Sequence, residues 1–187
     1  REFEERFLKI GMGYRIIGGT KFYERSEIKD GVSFLRIVNQ KNDDLAFERI
    51  INIPKRSIGD STLKQLHDYG RQNKKSLEDS AIDLIQSNKI KPKAKLGLMQ
   101  ILNLFKKWRL DLKEKKHYEL MEIIFDESGY SQMLKNKKDL ESEGRLENIK
   151  ELIRGMHDFE NMQGFLEHVA LATSIDQDWD GEKVNLM

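Results

Sequence analysis

The 187 residues are 38% hydrophobic and 35% charged, enough apolar material for a packed core. With 33 basic against 32 acidic residues the net charge of +1 points to no class of partner. The absence of cysteine excludes disulfides, thiolate-held zinc and a thiol nucleophile, and fits a reducing, cytoplasmic setting.

Phe3, Phe7 and Leu8 give residues 1–10 a helical stripe that stops at Gly11 and Gly13, and "YRII" then reads as a short strand ended by Gly18-Gly19. The other strand-like run is Val184 to Met187. Two such short strands need a larger sheet, so the chain reads as an excised piece whose ends join one sheet outside it, with a helical insertion between them. Helical periodicity fills the interior: Ile28, Val32 and Leu35; Leu98, Ile101, Phe105, Trp108 and Leu112; Ile149, Leu152, Ile153, Met156 and Phe159. The fold class is therefore mainly α. Punctuation agrees, with Asp43 or Asp44 before "LAFERII", Ser76 with Asp79 as a capping box, Pro92 at a helix start and Gly129 after a helix end.

Residues 50–66, "IINIPKRSIGDSTLKQL", read as a helix from about Leu45 to Asn52, a hairpin, and a helix from about Asp60 to Tyr69. Such a helix-hairpin-helix binds phosphate when small residues let backbone approach closely and free N–H groups at the second helix face outward. Lys55 and Arg56 add positive charge, Ile58 is expected to tuck inward, and Asp60 or Ser61 to cap the helix. The bland alternative is an ordinary helix-helix turn.

Charge is unevenly spread. Lys55 to Lys116 holds 16 Lys or Arg against 7 Asp or Glu, whereas Asp158 to Lys183 holds seven acids and one Lys. "KIKPKAK" sets Lys89, Lys91, Lys93 and Lys95 around a Pro-initiated helix start, with Lys106, Lys107 and Arg109 further along the same helix. Two basic helix starts favour sequence-tolerant binding to a nucleic-acid backbone, since no base-reading signature accompanies them.

Other motifs are incomplete. "DQDWDGEKVNLM" places Asp176, Asp178, Asp180 and Gly181 as in a calcium loop, but Met187 stands where the bidentate Glu belongs, so a solvated acidic linker is expected. Gly13 and Gly18 have Walker A separation, yet "GGTK" replaces the required G-K-S/T. His67, His117, His157 and His168 lack metal-ligand spacing and are expected on helix surfaces or partly buried. No catalytic residue and no metal site is assigned. No apolar run reaches the roughly 18 residues of a membrane span.

Residues 14–63, "YRIIGGTKFYERSEIKDGVSFLRIVNQKNDDLAFERIINIPKRSIGDSTL", closely resemble the UvrD/PcrA/Rep helicases of superfamily 1, and "SGYSQML", "GRLENIKEL" and "KVNLM" extend the resemblance along the chain. By this resemblance residues 21–180 are a helical 2B subdomain inserted in a RecA-like 2A domain, with residues 1–20 and 181–187 as the 2A flanks. It implies a parent that uses ATP and Mg²⁺ to unwind duplex 3′ to 5′ in DNA repair, while this chain carries no cofactor site of its own. It implies duplex DNA at a single-strand junction as partner, alongside repair proteins, with no membrane. The residues it assigns to DNA are Lys55, Arg56, Ser57, Ile58, Gly59 and Thr62, joined by Lys93 and Lys95 from the basic helix start; Gly18 and Gly19 would form a hinge. The family hairpin reads Gly-Ile-Gly, so Ser57 here keeps the N–H but adds a Cβ. The competing reading is a swivelling regulatory domain that docks proteins and does not hold DNA.

Overall fold

A computed structural model of the chain describes residues 20–137 and 139–174; the strands expected at the two ends, the proposed hinge Gly18-Gly19 and the acidic segment from Asp176 fall outside those residues. The described residues form helices only: α1 (Thr20–Tyr23), α2 (Ser26–Asn39), α3 (Asp44–Ile50), α4 (Asp60–Asn73), α5 (Leu77–Gln86), α6 (Pro92–Asp111), α7 (His117–Glu127), α8 (Tyr130–Lys137), α9 (Leu140–Met156) and α10 (Met162–Ser174). None is long and apolar enough to cross a membrane.

Helix α2 is the hub. Ile28, Phe34, Leu35, Ile37 and Val38 bury it on several sides, and it packs on α3, α6, α7, α9 and α10. Around it stand fully buried rings: Phe34 meets Trp108 edge-on at 5.9 Å and Tyr130 at 6.4 Å, while Phe47 meets Phe105 at 6.2 Å. Each such side chain supplies about 1.5–3 kcal/mol of burial. The helical stripes expected at Ile28, Leu98, Ile101, Phe105, Trp108, Ile149, Leu152 and Met156 all point into this core.

Among the described residues, the buried charges have partners. Asp30, 5% exposed, accepts from Arg49 Nε at 2.8 Å and from the Tyr130 hydroxyl at 2.6 Å. Burial, then that bond, pushes the Tyr130 phenol far above its usual range. Glu78, 3% exposed, takes both oxygens to the Arg109 guanidinium at 2.7 Å, and Arg109 also donates to the Ile37 carbonyl. These bonds fix α3 and α8 to α2, and α6 to α5 and α2.

Local chemistry sets the helix starts. The Asp43 carboxylate accepts from Ala46 N, Ser76 Oγ from Asp79 N, and Pro92 occupies the first turn of α6. Gly129, at φ 80, follows α7 as expected. Two expectations need correction. The N-cap of α4 is Gly59 in extended geometry, with no side-chain cap, and Asp60 lies in the first turn where its charge meets the helix dipole instead. His117 is buried, 4% exposed, because its Nε2 pairs with the Met156 carbonyl at 2.8 Å.

Candidate nucleic-acid interface

Helix α3 ends at Ile50 and α4 begins at Asp60, which leaves a tight hairpin over residues 51–59. Ile58 is 1% exposed and pins the loop to the core, as its apolar character demands. Thr62, in the first turn of α4, is also buried at 6%. Lys55, Ser57 and Gly59 are exposed at the tip.

Asn52 is the organiser that sequence reasoning missed. Its Oδ1 accepts from the backbone amide of Arg56 at 2.7 Å and from that of Ile58 at 3.4 Å. An Asn between a helix end and a hairpin is a usual source of such turn bonds, and that was the available signal. By contrast, the amides of Ser57, Gly59, Asp60 and Ser61 have no acceptor among the described residues, and the first bonds of α4 run from Thr62 and Leu63 back to the Gly59 carbonyl. Free donors at a helix start, with the positive end of its dipole, make an anion-binding geometry.

Arg56 does not face outward. Its Nη1 donates to the carbonyls of Ile53 at 2.8 Å and Pro54 at 3.0 Å, and more distantly to those of Ile50 and Ile51 at 3.4 Å. Its Nη2 donates to the Ser128 carbonyl at 2.9 Å, beyond the end of α7. The guanidinium thus gathers the C-terminal carbonyls of α3 and ties the hairpin to the α7–α8 junction, where Pro54 also packs near Gly129. Burial lowers its pKa to about 10, which leaves it charged at neutral pH.

Ser57 sits at φ 61, in the left-handed region where glycine is most at ease. The hairpin therefore keeps a glycine-like backbone with a serine in it. On the other side the loop abuts α6 at Gly97, whose position admits no side chain beside the Arg56 carbonyl. A glycine inside a helical stripe signals close backbone approach, a clue left unused in the sequence.

The second basic element comes alongside. Gln65 of α4 donates to the Lys89 carbonyl at 2.8 Å, which brings the start of α6 against α4, and Lys93 lies one turn before Gly97 on that helix. Lys89, Lys91 and Lys93 are exposed. Other cations of this element have protein partners: Lys95 donates to Asn88 Oδ1, Lys107 to Glu127, and Arg109 to Glu78. The exposed lysines without an ion-pair partner among the described residues here include Lys55, Lys64, Lys89, Lys91 and Lys93, with Lys106 further along α6. Among the described residues no group of side chains has the makings of a metal site.

Comparison with known proteins adds a family. The sequence model described as "UvrD-like helicase C-terminal domain" matches residues 1–187. The chain is 37% identical over 171 residues to a "Probable DNA helicase II homolog" of Rickettsia conorii, covering 91% of this chain and 26% of that protein. It is 36% identical over 198 residues to the "ATP-dependent DNA helicase PcrA" of Staphylococcus aureus, covering all of this chain and 27% of the relative. The chain thus spans about a quarter of the length of the curated relatives it matches.

Proposed function

Given that the chain belongs to the UvrD-like helicase C-terminal domain family, we propose that it is the 2B subdomain of an ATP-dependent 3′ to 5′ DNA helicase acting in repair, and that it grips duplex backbone near a single-strand junction. The domain limits proposed are residues 21–180 for 2B and the two ends for 2A, with Gly18-Gly19 as hinge. ATP and Mg²⁺ act elsewhere in the parent protein, so this chain alone is inactive as an ATPase.

One observation carries the reading: a hairpin whose unpaired amides at Ser57, Gly59, Asp60 and Ser61 stand beside exposed Lys55. Backbone donors and a lysine match phosphate oxygens and ignore base identity. Lys93 extends the contact, while Ile58, Thr62 and Arg56 act from behind by holding the loop in shape. Lys95, turned to Asn88, contributes at most through its local field.

The test is fluorescence anisotropy on a duplex with a 3′ single-stranded tail across a salt series. Binding should weaken with salt at a slope of about 0.9 per phosphate engaged. Lys55→Ala should lower that slope by roughly 1 with stability unchanged, whereas Arg56→Lys should weaken binding at every salt concentration and leave the slope in place. An affinity and slope untouched by Lys55→Ala would leave the hairpin a structural turn, and the regulatory, protein-docking reading would then stand.

A further inference from the structure

Helix α6 buries Leu98, Ile101, Phe105 and Trp108, yet its opposite side is also apolar. Pro92, Leu96, Met99, Asn103, Lys106 and Leu110 alternate four and three residues apart, which sets them on one face. Leu96 is 63% exposed, Met99 41% and Leu110 58%. Alongside this seam, Ile82 and Ile85 of α5 and Leu102 of α6 line a groove of about 500 Å³. Isolated exposed leucines are ordinary, but an exposed heptad-spaced seam beside an apolar groove is the shape that receives a helix.

The charges decide which helix. Helix α6 carries five basic residues, Lys93, Lys95, Lys106, Lys107 and Arg109, against one acid, Asp111 at its last position. Lys106, at the groove, has no ion-pair partner among the described residues, and neither has Lys93 at the head of the seam. Packing α6 on a second copy of itself would bring unpaired Lys106 and Lys93 of each copy into a surface that offers them no acid, which opposes self-association. A duplex backbone gains nothing from Leu96, Met99 and Leu110.

We infer that the α5–α6 groove docks an amphipathic helix of a partner protein, one whose apolar seam is flanked by Asp and Glu. Its leucine-like side chains fill the groove over Met99, Leu102 and Leu110, and its acids meet Lys106. The surface is separate from the hairpin: Gly97, which abuts Arg56, lies on another side of α6, so the docked helix and duplex are held independently.

The probes are two designed helical peptides with the same leucine seam, one with glutamate flanks and one with lysine flanks, titrated by anisotropy against this chain. The glutamate peptide should bind in the micromolar range, and the lysine peptide at least about tenfold more weakly. Leu110→Asp and, separately, Leu96→Asp should each weaken the glutamate peptide by about tenfold or more, with helicity and duplex binding unchanged. Equal affinity for the two peptides, or indifference to both substitutions, overturns the inference. So does a dimer in sedimentation that Leu110→Asp dissociates, which would give the seam to a second copy. Binding to this chain that disappears in the complete polypeptide carrying it would give the seam to an intramolecular contact, and also overturns it.

Discussion

Gly97 of α6 lies so close to the hairpin that a β-carbon there would stand 2.1 Å from the carbonyl oxygen of Arg56. That oxygen is backbone and cannot swing away, so the helix and the loop would have to part. Gly97→Ala should therefore destabilise the chain by about 1–3 kcal/mol despite the better helix propensity of alanine. Urea unfolding checks the stability, and duplex binding should fall with it. Unchanged stability would mean that the hairpin is not seated on α6.

Ser57 holds a left-handed backbone at φ 61. Relief of Cβ strain, roughly 1–2 kcal/mol, is offset in part by the greater freedom glycine gives the unfolded chain, about 0.5–1 kcal/mol. Ser57→Gly should then stabilise modestly, by up to about 1 kcal/mol, and Ser57→Val should destabilise by more. If Cβ also holds a phosphate off the loop, the glycine variant tightens duplex binding beyond what stability explains. Thermal melts of the three proteins give the order.

The Arg109 and Glu78 pair predicts a sharp asymmetry between single and double substitution. Glu78 is 3% exposed and depends on Arg109 for both oxygens. Arg109→Met strands a buried carboxylate, at a cost of about 3–5 kcal/mol. Adding Glu78→Leu should recover most of that loss, since neither charge is then left alone in the core. Chemical denaturation of the two singles and the double closes the cycle, and additive effects would contradict it.

Asp83 ties the end of α4 to α5. It accepts from Lys75 Nζ at 2.5 Å and from the Tyr69 hydroxyl at 3.1 Å, and the Lys75 bond chiefly holds its pKa below the ordinary 3.8. A depressed folded-state pKa contributes stability that is complete above 3.8 and disappears as pH falls through the lower folded value. The pair is solvent-accessible, so the effect is small and salt-sensitive. Asp83→Asn should be less stable than the wild type near neutral pH and equal to it in strong acid. A difference that persists at about pH 2 would assign the effect to something other than the carboxylate charge.

Helix existence was legible because its signals are local. Asp43, Ser76 and Pro92 act within one turn of where they stand, and the stripes of Ile28, Leu98 and Ile149 needed only period 3.6. The two helices on either side of residues 51–59 were also readable, with α3 ending at Ile50 where Asn52 was expected and α4 running to Asn73 where Tyr69 was expected. What local reading could not supply was the destination of long side chains. Arg56 and Lys55 are adjacent and look alike as charges, but Arg56 turns inward onto the carbonyls of Ile50, Ile51, Ile53 and Pro54 and onto that of Ser128, 72 residues away. Gly97 and Asn52 carried signals, a helical glycine and a turn asparagine, whose meaning depends on which backbone lies opposite.

The inward turn of Arg56 sorts the polarity of the loop. Carbonyl oxygens from Ile50, Ile51, Ile53 and Pro54 are collected around one guanidinium on the inner side, while the unclaimed N–H groups belong to the outer rim and the first turn of α4. With the carbonyl ends met by the buried guanidinium, the outward N–H groups give the loop a fixed, partly positive rim built from peptide groups. Such a field acts over contact distance, well inside the screening length of about 8 Å in physiological salt. Ionic strength strips away the pull of the mobile lysine heads first, so an anion seated against the amides keeps its hold after long-range attraction has gone.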